Sequence, residues 1–92
     1  MIVTIKHKGL KKFWETGSTR GVQQDHVRKL NIILTSLDVA QEIKDVDLPS
    51  FKLHQLKGDQ KGRYAIWVNG NWRVTFEFEN SNVYLVDYED YH

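Results

Sequence analysis

Hydrophobic positions change period along this 92-residue chain, and the change predicts its architecture. Ile2, Val3, Thr4 and Ile5 are a mostly β-branched run that reads as a short strand. From Lys8 onward, Leu10, Phe13 and Trp14 recur at helical spacing, with Lys8, Lys11 and Lys12 on the remaining surface. Gly17-Ser18-Thr19-Arg20-Gly21 ends that helix. A longer helix from about residue 24 to 37 carries one apolar stripe of Val27, Leu30, Ile33, Leu34 and Leu37. Asp25 suits its positive end, and His26, Arg28 and Lys29 fall off the stripe. A short turn is expected over residues 39–43 and a loop over 45–50, around Pro49.

Downstream the period becomes two. Asn69-Gly70 signals a two-residue type I′ hairpin, which needs φ > 0 at both positions. That turn sets Val68 opposite Asn71, Trp67 opposite Trp72, Ile66 opposite Arg73 and Ala65 opposite Val74. Trp67, Trp72, Val74, Phe76 and Phe78 then face the core, and Tyr64, Ile66, Arg73 and Thr75 face away. A tight turn at Asn80-Ser81 sets Phe78 opposite Val83, Phe76 opposite Leu85 and Arg73 opposite Tyr88. Tyr88, Asp90 and His92 are therefore expected on Arg73's face. The predicted fold class is α+β: two N-terminal helices packed on one face of a small antiparallel sheet whose other face is partly open. The length suits a single domain over residues 1–92.

Composition narrows the chemistry. The absence of cysteine removes disulfides, thiolate nucleophiles and thiolate metal sites together. The longest apolar run, residues 64–68, is far too short to span a bilayer. Met1 leads directly into a strand-like segment and not a signal-peptide pattern, so a cytoplasmic setting without membrane contact is expected. The net charge of +1 hides segregation. Residues 1–30 hold seven Lys/Arg against two acids, and residues 74–92 hold five acids with no Lys or Arg. Residues 51–73 are again basic, so two basic blocks would form one anion-binding surface if the fold joined them. On charge alone, solvated helix and strand faces are the simpler account of such runs.

Among the four histidines, His7 and His26 sit beside helical lysines or arginines and read as structural or surface residues. His54 and Lys57 precede the hairpin that carries Arg73, whose expected face also holds Tyr88, Asp90 and His92. Cations, an acid and two groups titrating near neutral pH on one open surface suit binding a phosphate and moving protons across it. A solvated polar face, with Arg73 paired to Asp90 or Glu89, is the plain alternative. There is no Gly-rich phosphate loop, no helical metal-binding pair and no nucleophile elbow, so no cofactor or metal is expected.

These residues carry a resemblance that covers essentially the whole chain. FKLHQLKGDQKGRYAIWVNGNWRVTFEF, followed by the terminal VDYEDYH, resembles the HigB toxins, the host-inhibition branch of the RelE/ParE superfamily of bacterial toxin–antitoxin systems. Its most specific marks are the spacing of Leu53, Leu56 and Gly58, the Asn-Trp-Arg at 71–73, and the closing Asp-Tyr-His. HKGLKKFWETGSTRGV near the N-terminus matches the same style. The resemblance implies a RelE/ParE-like fold and a ribosome-dependent endoribonuclease that cuts messenger RNA in the ribosomal A site, preferring adenine-rich codons. It implies neutralisation by a HigA-type helix-turn-helix antitoxin, with operator DNA bound only through that antitoxin, and the 70S ribosome and mRNA as further partners. Carried over residue by residue, the functional set is His54, Lys57, Arg73, Asp90, Tyr91 and His92. Tyr91 alternates away from Asp90 on an ideal strand, so its inclusion rests on the resemblance alone.

The implied reaction is attack by a ribose 2′-hydroxyl on the adjacent phosphate. Lys57 and Arg73 suit charge stabilisation, His54 the base, His92 the acid, Asp90 an orienting partner, and Tyr91 a contact to the RNA. Lys6, Lys8, Lys11, Lys12, Arg20, Arg28 and Lys29 are candidate contacts to ribosomal RNA. Two other functions compete: a ParE-like poison of gyrase, and a non-catalytic RNA-binding module. Neither needs the His/Lys/Asp constellation.

Overall fold

The computed structural model describes residues 1–58 and 62–90. Tyr91 and His92 lie outside the described residues. Helix α1 spans Lys8–Thr16. It starts where the His7 ring accepts the Leu10 N–H at 3.0 Å, and it ends at Gly17, whose φ of 82° closes an N–H bond to Phe13 O. A Cβ on Gly9 would run into the backbone of Gly21, so no side chain fits where the loop returns over α1. A 3-10 turn at Gln24–His26 leads into helix α2, Val27–Val39. The expected stripe lies inward: Leu30, Ile33, Leu34 and Leu37 are fully buried. Two further 3-10 turns, Ile43–Val46 and Pro49–Phe51, occupy the region expected to be a loop, and they plug Val46 and Phe51 into the core.

Four strands follow in simple order: β1 His54–Gln55, β2 Arg63–Asn69, β3 Trp72–Glu79 and β4 Asn82–Asp90, each antiparallel to the next. The expected N-terminal strand is reduced to two isolated bridges, Ile2 to Val83 and Ile5 to Val86, and both are parallel. The first residues thus run along the outer edge of β4 and cover part of an otherwise unpaired edge.

Both hairpins depart from the expected register. In the first, the turn residues are Gly70-Asn71, closed by the Asn69–Trp72 pair. Gly70 takes φ 56° and Asn71 keeps a negative φ, which is the type II′ pattern with glycine first. Val68 is the extra residue of a bulge, and beyond it Ile66 pairs with Val74 and Trp67 with Arg73. This one-residue slip reverses the faces assigned to β2. Ile66 and Val68 join the core, Tyr64 stacks on Phe76 at 5.8 Å, and Trp67 moves to the other side with Arg73. In the observed register Ile66 and Val68 are buried and Tyr64 is half-buried, while the Trp67 Nε1–H finds Gly70 O at 2.9 Å.

In the second hairpin, Phe78 meets Val83 as expected. Leu85 and Val86 then stand against Phe76 alone. Leu85 sits at φ 53°, and its N–H is taken by Thr4 Oγ1 at 2.8 Å. Past this bulge Arg73 faces Glu89, Val74 faces Tyr88 and Trp72 faces Asp90. Tyr88 and Asp90 therefore alternate to the side opposite Arg73, against expectation. The bulge has no sequence signature, because the residue that satisfies it is at the other end of the chain.

Candidate active site

Directly paired residues of antiparallel strands share a face, so the register defines the surface away from the helices. His54, Ala65, Thr75 and Asp87 form one cross-sheet row, and Trp67, Arg73 and Glu89 form the next. Ala65 and Thr75 are nevertheless fully buried, and Arg63 reaches across this face to Glu77 Oε2 (3.3 Å), Thr75 Oγ1 (3.1 Å) and Leu85 O (3.3 Å). Beside them, towards the β1 edge, lies a cleft of about 360 Å³. His54, Gln55, Leu56, Lys57, Trp67, Gly70, Asn71, Trp72 and Arg73 line it. Its walls come from β1 with the residues just after it and from the first hairpin, and Leu56 N–H extends the β1–β2 ladder to Arg63 O at 2.8 Å.

Three of the expected residues meet here. The Nδ1 of His54 lies 3.2 Å from Lys52 O. A carbonyl only accepts, so Nδ1 carries the proton, and the lone pair of the neutral ring sits on Nε2. His54 is exposed, and Lys57 beside it is exposed as well. Arg73 is held: its Nε and terminal nitrogen contact Glu89 Oε1 at 3.2 and 3.1 Å. That ion pair matches the plain alternative for Arg73, but the guanidinium still lines the cleft. Asp90 is exposed on the Trp72 side of β4, across the strand from Arg73. The expectation that Asp90 shares Arg73's face is thus corrected. Tyr91 and His92, outside the described residues, keep only their sequence-based assignment.

A further feature is not legible in the sequence. Trp67, expected in the core, carries two ammonium groups over its indole: Lys52 Nζ at 4.3 Å and Lys29 Nζ at 5.1 Å from the ring centroid. Lys29 also donates to Ser50 O at 2.9 Å and lies 5.7 Å from the Phe51 ring. Partial burial, and then the charge of Lys52, lowers the Lys29 pKa from its ordinary value. Lys29 belongs to the first basic block and Lys52 to the second, so the fold does join the two blocks at this point. Lys6, Lys8, Lys11, Lys12, Arg20 and Arg28 are exposed and do not line the cleft.

On the helix side, His26 is not a surface residue. It is 5% exposed, with Nδ1 2.6 Å from the hydroxyl of the buried Tyr88. That hydroxyl also receives the Gln23 N–H at 3.3 Å. The assignment that satisfies all three groups has Tyr88 O–H donating to His26 Nδ1. His7 and Trp72 close the cluster, with ring centroids 5.3 and 4.6 Å from Tyr88. Burial raises the Tyr88 phenol pKa against the opposing Gln23 hydrogen bond.

Two helices over a four-stranded antiparallel sheet, with a basic cleft at the first hairpin, form an architecture shared with solved proteins. The chain resembles the YoeB–YefM complex of Staphylococcus aureus at TM-score 0.65 and 20% identity, over 100% of this chain and 95% of that one. It resembles YafQ of E. coli at TM-score 0.58 and 13% identity, over 98% and 91%. These likenesses establish the fold. The model of the HigB family, RelE-like toxins of type II toxin–antitoxin systems, matches residues 3–92. The protein called endoribonuclease HigB in Proteus vulgaris is 47% identical over 92 residues, the full length of both chains. The chain belongs to the HigB family, the RelE-like toxins of type II toxin–antitoxin systems.

Proposed function

We propose that this toxin is a ribosome-dependent endoribonuclease that cuts messenger RNA in the A site by 2′-hydroxyl attack. The observation that carries the proposal is the open Nε2 of His54, set beside Lys57 and Arg73 in one cleft. His54 Nε2 takes the proton of the 2′-hydroxyl while that oxygen bonds to the adjacent phosphorus. The bond from phosphorus to the 5′-oxygen breaks, leaving a 2′,3′-cyclic phosphate and a 5′-hydroxyl. Arg73 and Lys57 balance the charge that grows on the phosphoryl oxygens. The leaving 5′-oxygen needs a proton, and His92 is our candidate donor, with Tyr91 placing the RNA and Asp90 acting at the strand end. No cofactor is required. The endoribonuclease of Proteus vulgaris, 47% identical to this chain, supports the same reading.

An open cleft on a small domain orders a flexible strand poorly, and the ribosome supplies an already ordered codon. A HigA-type helix-turn-helix antitoxin, operator DNA bound through it, a cytoplasmic setting and a single domain over residues 1–92 complete the proposal. Induction of the toxin alone followed by mapping of message 5′ ends tests it. New ends in A-site codons, absent with His54→Ala, are expected. Growth arrest without such ends would favour a gyrase poison or an RNA binder.

A further inference from the structure

We propose that Lys29 and Lys52, gathered on the Trp67 indole at the rim of the cleft, form a second phosphate subsite that grips a phosphodiester of the message next to the one cut. The inference rests on the ribonuclease reading and names a part of the site which that reading does not use.

Charge placement is the first argument. Arg63 and Arg73 each hold a carboxylate, Glu77 and Glu89. Among the described residues, Lys29 and Lys52 make no ion pair and are instead brought together against one aromatic ring. Two like charges in one place are unfavourable unless an anion joins them, and the charge of Lys52 adds to the larger effect of burial in lowering the Lys29 pKa. The indole face attracts both cations and keeps them from spreading into solvent.

Donor geometry is the second. Lys29 spends one N–H on Ser50 O, which fixes its ammonium and leaves two donors. Lys52 stands at φ 47°, an uncommon backbone state for lysine, directly after the 3-10 turn Pro49–Phe51. In that state its carbonyl meets His54 Nδ1 while its ammonium covers Trp67. One residue thus orients the proposed base and contributes to the anion site, which ties the position of a bound phosphate to the reacting end of His54. A phosphodiester carries one negative charge and several acceptor oxygens, so it suits two ammonium groups with donors to spare.

The test uses the full chain on ribosomes programmed with a defined message, comparing wild type with Lys52→Gln, Lys29→Gln and the double variant across a salt series. Lys52 is exposed, so Lys52→Gln keeps the test valid even if Lys29→Gln perturbs folding. The expected result is a KM about ten-fold higher for the double variant. Its kcat should stay within about two-fold, because the contact is made in ground and transition state alike. The salt slope of log affinity for a message with a 2′-deoxy nucleotide at the cut position should fall by about 0.7, the share of one neutralised phosphate on a single strand. Lys52→Arg should restore KM. Unchanged KM and salt slope in Lys52→Gln, with wild type still cutting, would overturn the subsite. So would an equal loss of affinity for ribosomes without message, which would put these lysines on ribosomal RNA. A wild-type protein that cuts nothing sinks the ribonuclease reading, a distinct result.

Discussion

The two faces of the sheet each hold a histidine with a hydrogen-bonded Nδ1, and the two rings have opposite capacities. His26, beneath the helices, has its Nδ1 against the Tyr88 hydroxyl, with Trp72 and Tyr88 rings packed edge-on around it. His54, on the cleft face, has Nδ1 fixed by a carbonyl while the ring stays exposed. The covered face completes its polar groups internally: no buried side-chain nitrogen or oxygen among the described residues lacks a partner. The cleft face leaves donors and a lone pair turned outward. Residue type therefore says less about function than what remains of each group after the fold has used its share.

The sharpest break of the comparison is to remove each histidine in turn. His54→Ala should lower A-site cleavage by about 10²–10⁴-fold, the worth of one positioned base, with an unchanged melting temperature. Arg73→Ala should cost a similar factor, because its charge acts where phosphoryl charge develops, although it also strands Glu89. His26→Ala should do the reverse. It opens a cavity beside Trp72 and leaves the Tyr88 O–H without its acceptor, so unfolding free energy should drop by roughly 2–4 kcal/mol while the folded fraction cuts at the normal rate. Cleavage per folded molecule, measured alongside a denaturant curve, separates the two. Loss of chemistry in folded His26→Ala would erase the distinction between the faces.

Tyr88→Phe is a milder cut on the covered side. It leaves His26 Nδ1 and the Gln23 N–H without their partner, at a cost of about 1–3 kcal/mol. It also has a pH signature. The folded pKa of Tyr88 is raised by burial, so the unfolded chain ionises first as pH climbs past the ordinary phenol value near ~10. The contribution is fully present below that value and disappears as pH rises through the folded pKa. Wild type should therefore lose stability on the alkaline side more steeply than Tyr88→Phe, as read from urea midpoints over that range.

The sequence made the helices legible because their signals are local: an apolar stripe, a glycine stop and a capping side chain lie within a few residues of each other. Strand existence was legible for the same reason. Faces were not. Each depends on a count of residues between turn and pair, and two bulges shifted that count, one at Val68 and one at Leu85. The Asn69-Gly70 dipeptide marked the hairpin correctly but misplaced it by one residue, since glycine was used as the first turn position. The Leu85 bulge depends on Thr4, more than eighty residues away along the chain, and no local pattern reports it. Of the site, His54, Lys57 and Arg73 were placed together by motif resemblance more than by geometry. The Lys52–Trp67 contact is not legible in the sequence, because a register without the Val68 bulge turns the indole into the core.

The smallest expected effect sharpens the comparison at its boundary, where Glu89 holds Arg73. Glu89→Gln removes a carboxylate whose side chain is 39% exposed, against a guanidinium that is 14% exposed. Solvent screens such a pair, so stability should change by less than about 1 kcal/mol. The consequence for chemistry has a different sign from the alanine variants, because the guanidinium remains and loses only its competing anion. A phosphate in the cleft then meets an Arg73 less neutralised by its neighbour, which should strengthen message binding several-fold and steepen its dependence on salt. If Glu89 serves mainly to aim the guanidinium, kcat should fall instead while KM holds. Steady-state cleavage at two salt concentrations tells these apart, and with them whether the acidic strand beside the cleft tempers the basic surface or positions it.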